Sequence, residues 1–282
     1  MISVQTLKQR IRNMSTEKKI PYEVLYQNFF FEHFLERLSN SIYCDSFVLK
    51  GGFMLTVILG IEGRSTSDLD MTVDGLQMTE DKIKDVITKI CELGESEVSL
   101  EVTNTENIRH EDKYEGLRVT INGDYKGLSF PFKLDLSTGD QITPAAIERN
   151  VKLSLSGKNI NLMTYPFETV LAEKLETILS RGVANTRSKD FFDVYAINKF
   201  YTDQLDYKIA KDALIKTMSY RETLNLLEDA PKIINTIEND EGLAENWGVY
   251  TDAYFFADNV EYSEVIGALK LTIQYILSSD GV

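Results

Sequence analysis

The stretch that most limits the fold of this chain runs from Phe47 to Val73. Phe47-Val48-Leu49 is a short apolar run, Lys50-Gly51-Gly52 interrupts it, Phe53–Leu59 is apolar again, and a second strand-like run reaches Val73. Short apolar runs punctuated by a glycine pair read as strand, turn, one or two helical turns and strand. The second strand opens with Asp68-Leu69-Asp70. Residues i and i+2 of a strand share a face, so the two carboxylates stand side by side. Hard oxygen donors at that spacing suit Mg²⁺, which takes one or two carboxylates together with substrate phosphates. Gly51 and Gly52 carry no side chain to keep a phosphate from their backbone N–H groups.

The neighbours of this stretch add cations and a further acid. Lys50 and Arg64 flank it and could contact phosphate; Arg64 reads equally well as half of a surface ion pair. Asp74, just before Gly75, reads as a turn residue. Downstream, Leu134 and Leu136 alternate with Lys133 and Asp135 in a strand-like run over Leu128–Leu136. That alternation sends Asp135 off the core face.

The pattern along the chain is α+β. Val4–Met14 has helical spacing and is broken at Ser15-Thr16-Glu17 and Pro21; Tyr22–Leu38 reads as a long, aromatic-rich helix. His33 in it reads as structural. Met78–Leu93 reads as a helix, and Val98–Thr103 and Leu117–Asn122 as half-buried strands before the third at Leu128. His110, in the polar connection before Leu117, receives no role. Beyond Pro166 the pattern is helical throughout: Phe167–Leu179, Lys189–Phe200, Asp206–Met218, Arg221–Ile237 and Val260–Leu277. Strands mixed with helices, then helices alone, predict a mixed-sheet domain over 1–164 and a helical domain over 165–282.

Composition narrows the setting. The chain has 282 residues, 43% of them apolar and 10% aromatic, enough for a sizeable core. No apolar run approaches the roughly 18 residues of a membrane span, and the first residues are polar and helix-like rather than a leader's apolar core. Cys44 and Cys91 are too few for a disulfide framework or a zinc site. A cytoplasmic protein with reduced thiols is expected. The formal net charge of −14 weighs against a general nucleic-acid binder. It is unevenly spread, however: Lys8, Arg10, Arg12, Lys18 and Lys19 crowd the start, while Glu222–Glu264 holds eleven acids against Lys232. A local basic surface could still hold RNA.

A second constellation lies in the helical half. Lys174 sits amid Leu171, Leu175 and Ile178 in Ala172-Glu173-Lys174-Leu175-Glu176. Further on stands Arg187-Ser188-Lys189-Asp190-Phe191-Phe192-Asp193. Ser188 reads as an N-cap, and Asp190 and Asp193 lie three apart on one helical face.

Lys-Gly-Gly, Arg-x-Thr-x-Asp-x-Asp, Ala-Glu-Lys and Arg-x-Lys-Asp-x-x-Asp, in that order, resemble the AbiEii/AbiGii family of nucleotidyltransferase-like toxins, with the MenT toxins beside them. The resemblance spans Phe47 to Tyr195. It implies a bilobed protein of abortive-infection or type IV toxin–antitoxin systems, with a nucleotidyltransferase-like mixed-sheet domain followed by a mainly helical one. It implies a Mg²⁺-dependent transferase in which Asp68, Asp70 and Asp135, the last as third carboxylate from a neighbouring strand, are catalytic and hold the metal. Lys174 would contact the triphosphate, and Asp193 would orient Lys174 or share in catalysis. Gly51, Gly52, Arg64, Thr66, Lys174, Lys189 and Asp190 would complete the nucleotide site. The family points to an NTP substrate, GTP among characterised members, to the tRNA 3′ end as acceptor in the MenT branch, and to an antitoxin that forms no stable complex with the toxin. One departure is Phe53, where the family has a small hydroxyl residue that helps hold phosphate. Two other readings stay open: transfer to a small molecule or a protein, and an NTP-binding module whose chemistry has been lost.

Overall fold

The computed structural model describes residues 3–94, 96–108 and 116–279; His110 lies outside them. The chain divides into two compact units, Met1–Asp140 with Ile147–Thr164, and Gln141–Ala146 with Tyr165–Val282.

The first unit opens with α1 (Val4–Lys18) and α2 (Tyr22–Ser39), followed by β1 (Phe47–Lys50), α3 (Gly51–Leu59), β2 (Leu69–Val73) and α4 (Glu80–Cys91). Helix α1 runs straight through Ser15-Thr16-Glu17, where a break was expected. Polar residues without Gly or Pro tolerate a helix, and the stop comes at left-handed Lys19 (φ 56°) before Pro21. Three long strands follow, β3 (Val98–Asn107), β4 (Gly116–Tyr125) and β5 (Leu128–Ser137), and then a hairpin of β6 (Ile147–Lys152) and β7 (Asn159–Thr164) that the sequence pattern did not disclose.

The strands form one mixed sheet ordered β3-β4-β5-β2-β1-β7-β6. Strands β3, β4 and β5 are an antiparallel meander; β2 runs parallel to β5 and antiparallel to β1, and β1 parallel to β7. The helix-covered face is built from the alternation. Phe132, Leu134, Leu69 and Met71 are buried there, and Phe31 meets the Phe132 ring edge-to-face at 5.2 Å. Gly123 is needed for this packing, because a Cβ there would lie 2.2 Å from the Phe30 ring. Two buried polar side chains of α2 tie in its surroundings. Arg37 donates to the Cys91 and Val98 carbonyls, and Glu32 accepts the N–H groups of Leu155 (2.7 Å) and Ser156 (2.9 Å) in the hairpin turn.

The second unit consists of α5 (Phe167–Arg181), α6 (Ser188–Tyr201), α7 (Tyr207–Tyr220), α8 (Ala230–Glu238), α9 (Glu241–Ala253) and α10 (Tyr262–Ser278). The expected single helix over Arg221–Ile237 is instead broken. Glu222 adopts a left-handed conformation (φ 60°), and α8 starts with Pro231 in its first turn, where a missing N–H costs nothing. Ser188 is the first residue of α6 rather than its cap, which is Arg187. No described helix is long and apolar enough to cross a membrane.

Candidate active site

The face of the sheet opposite the aromatic core carries a row of charges. Lys50 on β1 is in register with Asp70 on β2, Asp70 with Asp135 on β5, and Asp135 with Arg118 on β4. Directly opposed residues project to the same side, so the row reads cation, acid, acid, cation across four strands. Two adjacent carboxylates repel one another, and the flanking cations moderate that. Asp68 precedes β2 and is exposed; Asp70 is half-buried.

The start of α3 is shaped to receive Asp70. Gly51 has φ +64°, and a Cβ on it would sit 2.7 Å from Asp70 Oδ2. Only glycine combines that backbone with that approach. The result is a carboxylate laid against the beginning of a helix. At Gly52 a Cβ would lie 3.0 Å from the Arg64 guanidinium and 3.4 Å from the Thr66 side chain. The structure therefore brings Gly51, Gly52, Arg64, Thr66 and Asp70 together. The Thr66 hydroxyl accepts the Asp68 N–H at 3.2 Å, and the amide of Gln27 on α2 donates to the Ser67 carbonyl at 2.7 Å, which fixes the segment before β2. Arg64 is buried and donates to the Ser65 carbonyl, so it does not lie on the surface as one of its readings had it.

Lys50 has a different setting from the one its sequence position suggested. Its ammonium donates to Ser137 Oγ at 2.6 Å and pairs with Asp140, which also accepts from Thr72 and Ser137, both at 2.6 Å. Burial opposes the Asp140 charge, but Lys50 and these donors outweigh it and hold the carboxyl well below its usual range. The cluster clamps the ends of β1, β2 and β5.

Asp135 is gripped by Arg118. Nε donates to Oδ1 and Nη2 to Oδ2, each at 2.7 Å, a bidentate fork. Arg118 is raised above its ordinary value chiefly by this hydrogen bonding; desolvation opposes, and the charges of Asp135, Glu106 and Asp68 add. Among the described residues no group of three His, Cys, Asp or Glu side chains is placed to hold a metal ion, the expected Asp68–Asp70–Asp135 set included. Two carboxylates at i and i+2 nevertheless fit the donor chemistry of Mg²⁺, with substrate phosphates completing its shell. Phe53, the departure from the family's small hydroxyl residue, is buried and meets Phe31 edge-to-face at 5.0 Å, so its side chain serves the core.

In the helical unit Lys174 of α5 lies between two carboxylates of α6, Asp190 at 2.8 Å and Asp193 at 2.9 Å. Arg187 reaches Asp190 at 3.0 Å. Both aspartates are buried, and the Lys174 side chain is 12% exposed. Desolvation works against the ammonium; Asp193 and Asp190 outweigh it, and the lysine stays firmly charged. Lys189 is half-buried in the first turn of α6. His33 is edge-to-face with Phe29 at 4.7 Å, and burial lowers its pKa to about 4. Cys44 and Cys91 are free thiols, and burial pushes Cys91 up to about 12.

Arg118, Asp140, Thr72 and Ser137 went unnoticed in the sequence. Their relation is one of register, and no local spacing carries it.

A mixed sheet with strand carboxylates beside a glycine-opened helix, followed by a helical unit, is the arrangement of nucleotidyltransferase folds. A candidate nucleotidyltransferase from H. pylori superposes with a TM-score of 0.55 at 15% identity, covering 91% of this chain and 96% of that one. JHP933 from Helicobacter pylori superposes at 0.54 with 14% identity, covering 91% and 93%. At such identities the likeness is one of fold. The family model for the nucleotidyl transferase AbiEii toxin of type IV toxin–antitoxin systems matches residues 33–266, and the chain belongs to that family. No curated protein matches it.

Proposed function

We propose that this protein is a Mg²⁺-dependent transferase that moves a nucleoside monophosphate from an NTP to a cellular acceptor and thereby arrests growth. The acceptor proposed is the tRNA 3′ end, with GTP as the first nucleotide to test. The observation that supports this most directly is the Asp70 carboxylate lying against Gly51 at the start of α3, two residues beyond Asp68.

When bound, the metal would neutralise charge on the triphosphate and on the departing pyrophosphate. Asp68 and Asp70 would hold it. Gly51 and Gly52 would let phosphate oxygens approach their N–H groups, and buried Arg64 would supply a fixed positive charge beside Gly52. In the transfer an acceptor hydroxyl oxygen bonds to the α-phosphorus, the bond to the bridging oxygen breaks, and pyrophosphate leaves. A strand carboxylate takes the hydroxyl proton. The family pattern gives Lys174 a triphosphate contact and gives Asp193 the orienting of Lys174 or a share in catalysis, with Lys189 and Asp190 as nucleotide-binding residues. The partner antitoxin is proposed to act without forming a stable complex.

Incubation with Mg²⁺, each α-labelled NTP in turn and total tRNA, beside Asp70→Ala, tests this. Label entering tRNA with the wild type alone is expected. Label entering a protein or a small molecule instead would replace the acceptor, and no turnover of any NTP would overturn the transferase.

A further inference from the structure

The bidentate hold of Arg118 on Asp135 has a consequence for what each residue can do. Both oxygens of Asp135 are engaged by one guanidinium, at 2.7 Å each. A carboxylate so occupied is a poor partner for a divalent ion. A guanidinium, in contrast, has five N–H donors in a rigid fork. The hold on Asp135 uses one donor on Nε and one on Nη2. Both N–H bonds of Nη1 and the second of Nη2 remain, directed away from Asp135. The Arg118 side chain is 31% exposed, so those donors are reachable from solvent. Arg118 lies on the same sheet face as Asp70, separated from it by Asp135 alone in the cross-strand row. The carboxylate fixes the plane of the fork, and planar, pre-oriented guanidinium groups are the side chains best matched to phosphate.

We infer that Arg118 is a ligand for the nucleotide's phosphates and that Asp135 is its positioning residue rather than a metal ligand. The inference rests on the transferase reading above and adds a residue to it. Asp68 and Asp70 then carry the metal alone, within the one or two carboxylates that Mg²⁺ ordinarily uses.

The test measures two bindings separately on the full chain. The four α,β-methylene NTP analogues are titrated calorimetrically with Mg²⁺ into the wild type, Arg118→Ala, Arg118→Lys and Asp135→Asn. Mn²⁺ binding is followed by electron paramagnetic resonance at saturating analogue, with Asp70→Asn beside the same set. Loss of charged hydrogen bonds to phosphate is expected to weaken the analogue about 10- to 100-fold in Arg118→Ala. Asp135→Asn, which frees the fork, weakens it by less, and Arg118→Lys falls between Arg118→Ala and the wild type. Mn²⁺ affinity stays at the wild-type value in the Arg118 and Asp135 variants and is lost in Asp70→Asn. Arg118→Lys keeps the charge and serves where Arg118→Ala fails to fold. Unchanged analogue affinity in the Arg118 variants overturns the inference alone, as does loss of Mn²⁺ in Asp135→Asn. A wild type that binds none of the four analogues fells the transferase reading itself.

Discussion

The two charged clusters of this protein are built on opposite plans. On the sheet face the charges lie partly open to water, with Asp68 exposed and Asp135 24% exposed. In the helical unit one lysine is enclosed by two carboxylates that are almost completely buried. Exposed charges are screened by solvent and contribute little to folding. Buried ones depend on their partners, and removing one leaves the others stranded. The sheet face can therefore bind new charge with little change in stability. The lysine cluster must keep its own charges matched for the helices to hold together.

The sharpest test of that contrast is Lys174→Met. It removes the buried ammonium that Asp190 and Asp193 share, leaving Arg187 on Asp190, and is expected to destabilise the helical unit by about 3–5 kcal/mol. The single tryptophan, Trp247, lies in α9, so urea unfolding followed by its fluorescence reads that unit selectively. Replacing all three charges by apolar residues of similar volume is expected to restore much of the loss. A loss below about 1 kcal/mol in Lys174→Met would break the comparison.

Asp140 is the exception on the sheet side, being enclosed with Lys50. Its folded-state carboxyl is held low, so its contribution is complete above the unfolded value near 3.9 and is lost as pH falls below it. At pH 7, Asp140→Asn is expected to cost on the order of 3 kcal/mol. The gap between variant and wild type should narrow as denaturation is repeated from pH 5 down to pH 2. A gap independent of pH would mean that Lys50 does not hold the charge. A smaller effect, about 1–3 kcal/mol from overpacking against Phe30, is expected of Gly123→Ala, read as a lowered melting temperature.

Residues that meet through local periodicity could be read from the sequence. Asp70 follows from strand alternation, although Asp68 falls just before β2, and Asp190 and Asp193 follow from helical spacing, as does the placing of Lys174 near the apolar side of α5. Residues that meet through sheet register could not: Arg118 is placed on Asp135 only once β4 folds back on β5, and Asp140 on Lys50 only once β1 and β5 share a sheet. The β6–β7 hairpin was illegible for another reason. Charged and amide side chains occupy most of Ile147–Lys152, as suits an edge strand, and Val151 is the one buried residue of β6. The break before α8 did carry a signal, Pro231, outweighed by the helical spacing around it.

The smallest stability effect belongs to the residue with the largest expected role. Asp68 is exposed; its backbone N–H is given to Thr66, and its carboxylate takes a long contact of 3.4 Å from Ser67 Oγ. Asp68→Asn should therefore change unfolding free energy by no more than about 0.5 kcal/mol. Removing one of two like charges beside Asp70 could even favour the fold slightly. If Asp68 holds the metal, the same change should lower NMP transfer at least about a hundredfold. Unfolding curves and transfer rates on one preparation decide the matter. Stability and activity falling together would make Asp68 a structural acid, and the sheet face would then obey the same rule as the lysine cluster.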